Sequence, residues 1–110
     1  MSSNLSNPPL VFKNVAAVAV TAGTPVTVWT PASGKRFRLL GFMVSLSVAG
    51  SVIFKDATNE FIRTPLLAAG VGLASPPMFG GYPSALQNNV LAIDVSASGN
   101  VSGFVFGQEE

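Results

Sequence analysis

The chain has 110 residues, close to half of them apolar, and six basic against five acidic side chains leave a net charge of +1. That length gives one domain with one core. The absence of cysteine and histidine excludes disulfide frameworks, thiolate or imidazole metal sites, cysteine nucleophiles and histidine-based triads.

Charged residues make up 10% of the sequence, where about a quarter is typical. A soluble monomer normally carries more charge than this, so either the surface is largely neutral-polar or much of it is covered by partners, and the second reading is preferred. The uncharged stretches 14–34 and 64–93 are broken by Gly, Pro, Thr and Asn, so neither reads as a membrane span.

Residues 1–9 are polar and end in Pro8-Pro9, which reads as an extended arm. The arm is assigned to residues 1–14, including the apolar Leu10, Val11 and Phe12, and a single domain to residues 15–110. Without basic residues or an apolar run, residues 1–9 do not read as a secretory signal, and synthesis in the cytoplasm is expected. Residues 15–21 and 25–30 flank Ala22-Gly23-Thr24 as a hairpin; the alanines at 16, 17 and 19 suit a helix, but Gly23 and Pro25 favour strands.

Pro31 to Gly34 then lead into the longest strand, residues 36–48. Here Leu40, Phe42, Val44, Leu46 and Val48 share one face, and Phe37, Leu39, Gly41, Met43, Ser45 and Ser47 share the other. The expectation is one face buried throughout and a second buried only at its start. Strands over 51–56 and 60–66 follow across the turns at Ala49-Gly50 and Ala57-Thr58-Asn59. A short strand over 70–73, then strands 90–95 and 101–107, complete an all-β chain of seven to nine short strands. Residues 74–89 hold Pro76-Pro77, Gly80-Gly81 and Asn88-Asn89 and read as a long loop, of the kind that tends to be functional or flexible. That loop carries Met78, Phe79, Tyr82 and Leu86.

Little here supports catalysis. Asp56 and Glu60 flank one turn and read as a solvated hairpin tip, Asp94 as an outer-face residue, and Glu109 and Glu110 as a terminal tail. No two of these carboxylates have a motif around them. Lys35, Arg36 and Arg38 form the densest charge; they read as a strand entrance kept soluble by cations, with a small anionic contact as the functional alternative. One such cluster is too little for nucleic acid. Gly70-Val71-Gly72 lacks the rest of a dinucleotide fingerprint, and no cofactor is expected. Trp29 reads as a core residue rather than a sugar platform. Phe104 and Phe106 share one face of the last strand, opposite Val101 and Val105, so one face of that strand is free to meet a neighbouring subunit.

The segments Trp29-Thr30-Pro31 to Gly34-Lys35, Phe37 to Phe42, Val52 to Asp56 and Leu91 to Gly103 together resemble small virion proteins of tailed bacteriophages, over most of the chain from about residue 26. The resemblance implies an antiparallel β-sandwich of jelly-roll type. It further implies a structural role as a capsid decoration, or cement, protein on the exterior of the virion. The partner would be a major capsid protein or another virion protein, the unit a homodimer or homotrimer, with no nucleic acid and no membrane involved. A tail or baseplate component, or a carbohydrate-binding adhesin-like sandwich, are the alternatives. Leu10, Val11, Phe12, Met78, Phe79 and Tyr82 are chosen from the residues themselves as candidate interface positions.

Overall fold

The computed structural model describes residues 10–76 and 78–110; the arm expected over residues 1–9 lies outside them. Among the described residues there is no helix, and nine strands form: β1 (Val11–Val20), β2 (Val26–Trp29), β3 (Phe37–Leu46), β4 (Val52–Asp56), β5 (Asn59–Arg63), β6 (Gly72–Ala74), β7 (Tyr82–Pro83), β8 (Leu91–Val95) and β9 (Gly99–Glu109). They build two antiparallel sheets packed as a β-sandwich. One sheet runs β1-β9-β3-β6, with β7 pairing the opposite end of β3; the other runs β2-β8-β4-β5.

The pairing is nested. The first strand pairs the last, β2 pairs β8, β3 pairs β6 and β7, and β4 closes a hairpin with β5. The pleat then sends alternate side chains inward from each sheet. Trp29, Phe37, Leu39, Phe42, Val44, Leu46, Val52, Phe54, Leu91, Ile93, Val95, Val101 and Val105 fill the space between. The core is aromatic at its centre, where Phe42 and Phe54 meet from opposite sheets at 4.5 Å between ring centroids.

Three expectations about the strands need correction. Residues 15–21 and 25–30 form no hairpin ladder: β1 pairs β9 in one sheet and β2 pairs β8 in the other, with a single bridge between Thr21 and Thr24 at the turn. The arm cannot include residues 11–14, because Val11 to Asn14 pair in register with Gly107 to Phe104 and belong to β1. Nor does β3 bury both faces at its start. Leu39 pairs Gly107 and Gly41 pairs Phe106, leaving Leu40 as an extra residue in a β-bulge. The bulge shifts the alternation by one. Phe37 and Leu39 point inward before it, Phe42, Val44 and Leu46 after it, so a single face is buried along the whole strand.

A second bulge bends β1. Val15 pairs Gly103 and Val18 pairs Val101, so Ala16 and Ala17 together oppose Ser102, and Ala17 takes a left-handed backbone at φ 50°. Beside it, Gly103 sits at φ 136°, with space for no side chain: a Cβ there would lie 1.9 Å from the Met43 carbonyl oxygen. Gly103→Ala combines backbone strain with this clash against the central strand pair. It is expected to cost about 3 kcal/mol or more, measured as a lower urea midpoint at unchanged m-value.

Candidate interaction surface

The two outward faces of the sandwich differ in chemistry. On the β2-β8-β4-β5 sheet the outward positions are Ile53, Lys55, Glu60, Arg63, Ala92 and Asp94, set by the pairs Ile53–Asp94, Ile53–Arg63, Lys55–Ala92 and Lys55–Glu60. The charges there pair with one another, once across strands (Lys55 with Asp94) and once within β5 (Arg63 with Glu60). Lys55 Nζ lies 3.5 Å from Asp94 Oδ2, and Arg63 forks onto Glu60 at 2.9 and 3.0 Å. Asp94 does lie on the outer side of its strand, as its alternation suggests, yet it is buried there. Its Oδ1 accepts the Gly23 N–H of the turn between β1 and β2, at 3.0 Å, and the N–H of Val95.

The β1-β9-β3-β6 sheet presents aromatic side chains instead. Phe12 pairs Phe106 across β1 and β9, and Met43 of β3 pairs Phe104. The ring of Phe12, 63% exposed, stacks on Phe104 at 4.9 Å, and Phe104 lies 6.3 Å from Phe106. Phe106 in turn lies over Gly41, where a Cβ would meet its ring at 2.5 Å. Met43, 42% exposed, and the exposed Ala74 of β6 continue the surface. Contiguous exposed apolar surface of this kind marks interaction sites.

The six candidate interface residues divide between the two sides of this sheet. Leu10 and Phe12 are exposed where β1 begins, and Phe12 belongs to the aromatic face. Val11 lies in one cross-strand row with Gly107, Leu39 and Tyr82, and both Val11 and Tyr82 turn partly into the core. Met78 also packs partly on the core, while Phe79 is 95% exposed at the tip of its loop. Phe104 and Phe106 carry the alternation of the last strand outward as expected. Met43 was not among the candidates, because its neighbours on β3 read as buried on both sides; Gly41 within an apolar strand is the signal for a bulge or close approach.

Asp56 is the largest departure from the sequence reading. Rather than a solvated tip, it is 1% exposed and fully bonded by the long loop. The Tyr82 hydroxyl and the Ala85 N–H donate to Oδ2 at 3.0 and 2.7 Å; the Ser84 hydroxyl and the Asn89 side-chain amide donate to Oδ1 at 2.9 and 3.0 Å. Burial alone would raise its pKa, but the Ala85 N–H and the Ser84, Asn89 and Tyr82 donors outweigh it and hold the carboxyl below its ordinary value. Burial, together with the neighbouring carboxylate, raises the Tyr82 phenol. Tyr82 also stacks on Phe61 at 3.9 Å. Residues 82–89 are thus a strap, fastened to the end of β4 through one carboxylate.

The last two glutamates are not a tail. Glu109 ends β9, and its carboxylate accepts the Trp29 indole N–H at 2.8 Å and the Ala32 N–H at 3.2 Å. Glu110 exchanges backbone hydrogen bonds with Arg36 and pairs with the Arg38 guanidinium at 2.7 Å. The Arg38 side chain holds the Glu110 carboxyl below its ordinary value. All five carboxylates of the chain therefore have internal partners.

The Asp56 cage sets an acid limit. Its folded pKa lies below the ordinary value of 3.8, so its contribution is complete well above that pH and is lost as pH falls through the lower, folded value. Asp56→Ala removes the shared acceptor of four buried or part-buried donors, of which only the Ser84 hydroxyl has another acceptor in reach, and is expected to cost about 3 kcal/mol at pH 7. Thermal melts from pH 7 to pH 2 should show the difference between wild type and variant shrinking below about pH 4.

No protein-family model matches this chain and no curated protein aligns with it, so its surface geometry carries the functional reading.

Proposed function

We propose that this protein is a non-catalytic structural component of a virion, a capsid decoration protein that binds an assembled shell as a homodimer or homotrimer. The observation that carries this reading is the contrast between its outer faces. One sheet closes its charges among themselves, and the other turns outward the exposed Phe12 and Met43 with the partly exposed Phe104 and Phe106. A face with few charges to desolvate suits protein contact. Removing the exposed part of Phe12 from water contributes only about 1–2 kcal/mol, so a single contact is weak and repetition over a symmetric shell supplies the avidity.

The strand order supports the jelly-roll part of the proposal. Two sheets ordered β1-β9-β3-β6 and β2-β8-β4-β5, with first-to-last nested pairing, are what rolling up one long antiparallel ribbon produces. Double-sheet jelly rolls recur in viral capsid and lectin domains. The sugar-binding alternative loses its two best side chains. Trp29 is enclosed with its indole N–H on Glu109, and Tyr82 is stacked on Phe61 with its hydroxyl on Asp56.

Mixed with undecorated capsids, the protein should bind saturably at a stoichiometry set by the shell's symmetry and raise the temperature at which the shells rupture. Phe12→Ser with Phe104→Ser should weaken that binding at least tenfold with little change in melting temperature, while Arg63→Ser on the opposite face leaves it intact. Absence of capsid binding across salt conditions, or binding to tails alone, would overturn the head assignment.

A further inference from the structure

A cleft of about 830 Å³ opens at the end of the sandwich opposite the turn that joins β1 to β2, lined by Arg36, Arg38, Ala85, Leu86, Gln87, Asn88 and Glu110. Its walls are pinned from several sides. The Asn88 N–H donates to the Lys35 carbonyl at 2.8 Å, the Gly34 N–H donates to Asn88 Oδ1 at 2.8 Å, and Arg36 and Glu110 exchange backbone hydrogen bonds. Asn88 keeps its left-handed backbone, φ 67°, within this frame. Arg38 is engaged on Glu110 and on the Gly80 carbonyl, which fixes the loop bearing Phe79 beside the cleft.

What remains on these walls is donor-rich. Among the described residues, three of the six cations have an ionic partner: Arg38, Lys55 and Arg63. Arg36, half-buried, makes no ion pair within 4 Å and acts on the Glu110 carboxylate only through space. Next to it stands the exposed Lys35. The Asn88 oxygen is occupied by Gly34, which leaves its NH₂ as donor, and the Glu110 side-chain carboxylate on the wall is already held by Arg38. Two of the three cations without an ion pair, Lys35 and Arg36, thus stand together where the unpaired Arg36 guanidinium and an amide donor line the same opening.

We propose that this cleft accepts an acidic side chain from a protein partner, with Arg36 as the recognising group. A carboxylate matches the guanidinium fork, and the exposed Leu86 and Phe79 beside it offer apolar contact to the flanking residues of a peptide. Two adjacent cations are too few for a nucleic-acid backbone. The surface is separate from the aromatic face, so this proposal stands or falls independently of capsid binding.

The test is a titration of ¹⁵N-labelled protein with a hexaglutamate peptide, and separately with inorganic phosphate, followed by NMR. The peptide should produce saturable shifts at the Arg36 side-chain N–H and at the Gly34, Gln87 and Asn88 amides. Arg36→Gln should weaken binding at least tenfold, Arg36→Lys less, and Lys13→Gln on β1 not at all. The proposal is overturned by the absence of saturable shifts, by an equal effect of Lys13→Gln, or by phosphate binding as tightly as the peptide.

Discussion

Four donors from one irregular segment converge on the carboxylate of Asp56, and much of the molecule depends on that junction. The strap over residues 82–89 has few backbone bonds of its own, a two-residue ladder with β3 and the single bonds Ser84 N–H to the Phe37 carbonyl and Asn88 N–H to the Lys35 carbonyl, to set against the entropy of an ordered loop. The charged acceptor at the end of β4 supplies what the ladder lacks, since hydrogen bonds to an ionised group are about twice as strong as neutral ones. With the strap fixed, Tyr82 can cover Phe61 and Phe37, closing one end of the core. The same fixation sets Asn88 against Gly34 and gives the cleft its wall.

The low charge content acquires a different meaning once the partners are known. Five carboxylates and six cations are few, yet none of the carboxylates is left to interact with solvent alone. Two serve as buried or half-buried acceptors for neutral donors, Asp56 for the strap and Glu109 for Trp29, and three meet cations. Negative charge in this protein therefore acts as internal fastening, and the free charge left on the surface is positive.

How much of this was legible in the sequence depended on whether the controlling contact was local. The strands, their turns and the inward face of β9 follow from alternation and from Gly, Pro and Asn, all of which act within a few residues. The phase of β3 was misread because a bulge is decided by the partner strand: only the pairing of Leu39 and Gly41 with consecutive residues Gly107 and Phe106 leaves Leu40 unmatched. Asp56, at a turn beside Asn59 and Glu60, has the local surroundings of a solvent-facing acid. Its burial comes from donors 26 to 33 residues away in sequence. Glu109 was missed for the same reason, with its indole partner 80 residues distant.

The bulge at Ala16 and Ala17 has a consequence beyond the geometry of one strand pair. β1 is ten residues long and lies at the margin of its sheet with an aromatic face beside it, the profile of a template on which further chains could stack without limit. The left-handed Ala17 interrupts the even spacing of its backbone groups, so an incoming strand meets no more than the five residues from Val11 to Val15 before the rhythm fails. With little charge to keep copies apart, growth from the β1 edge is thereby opposed by a single misaligned residue rather than by repulsion.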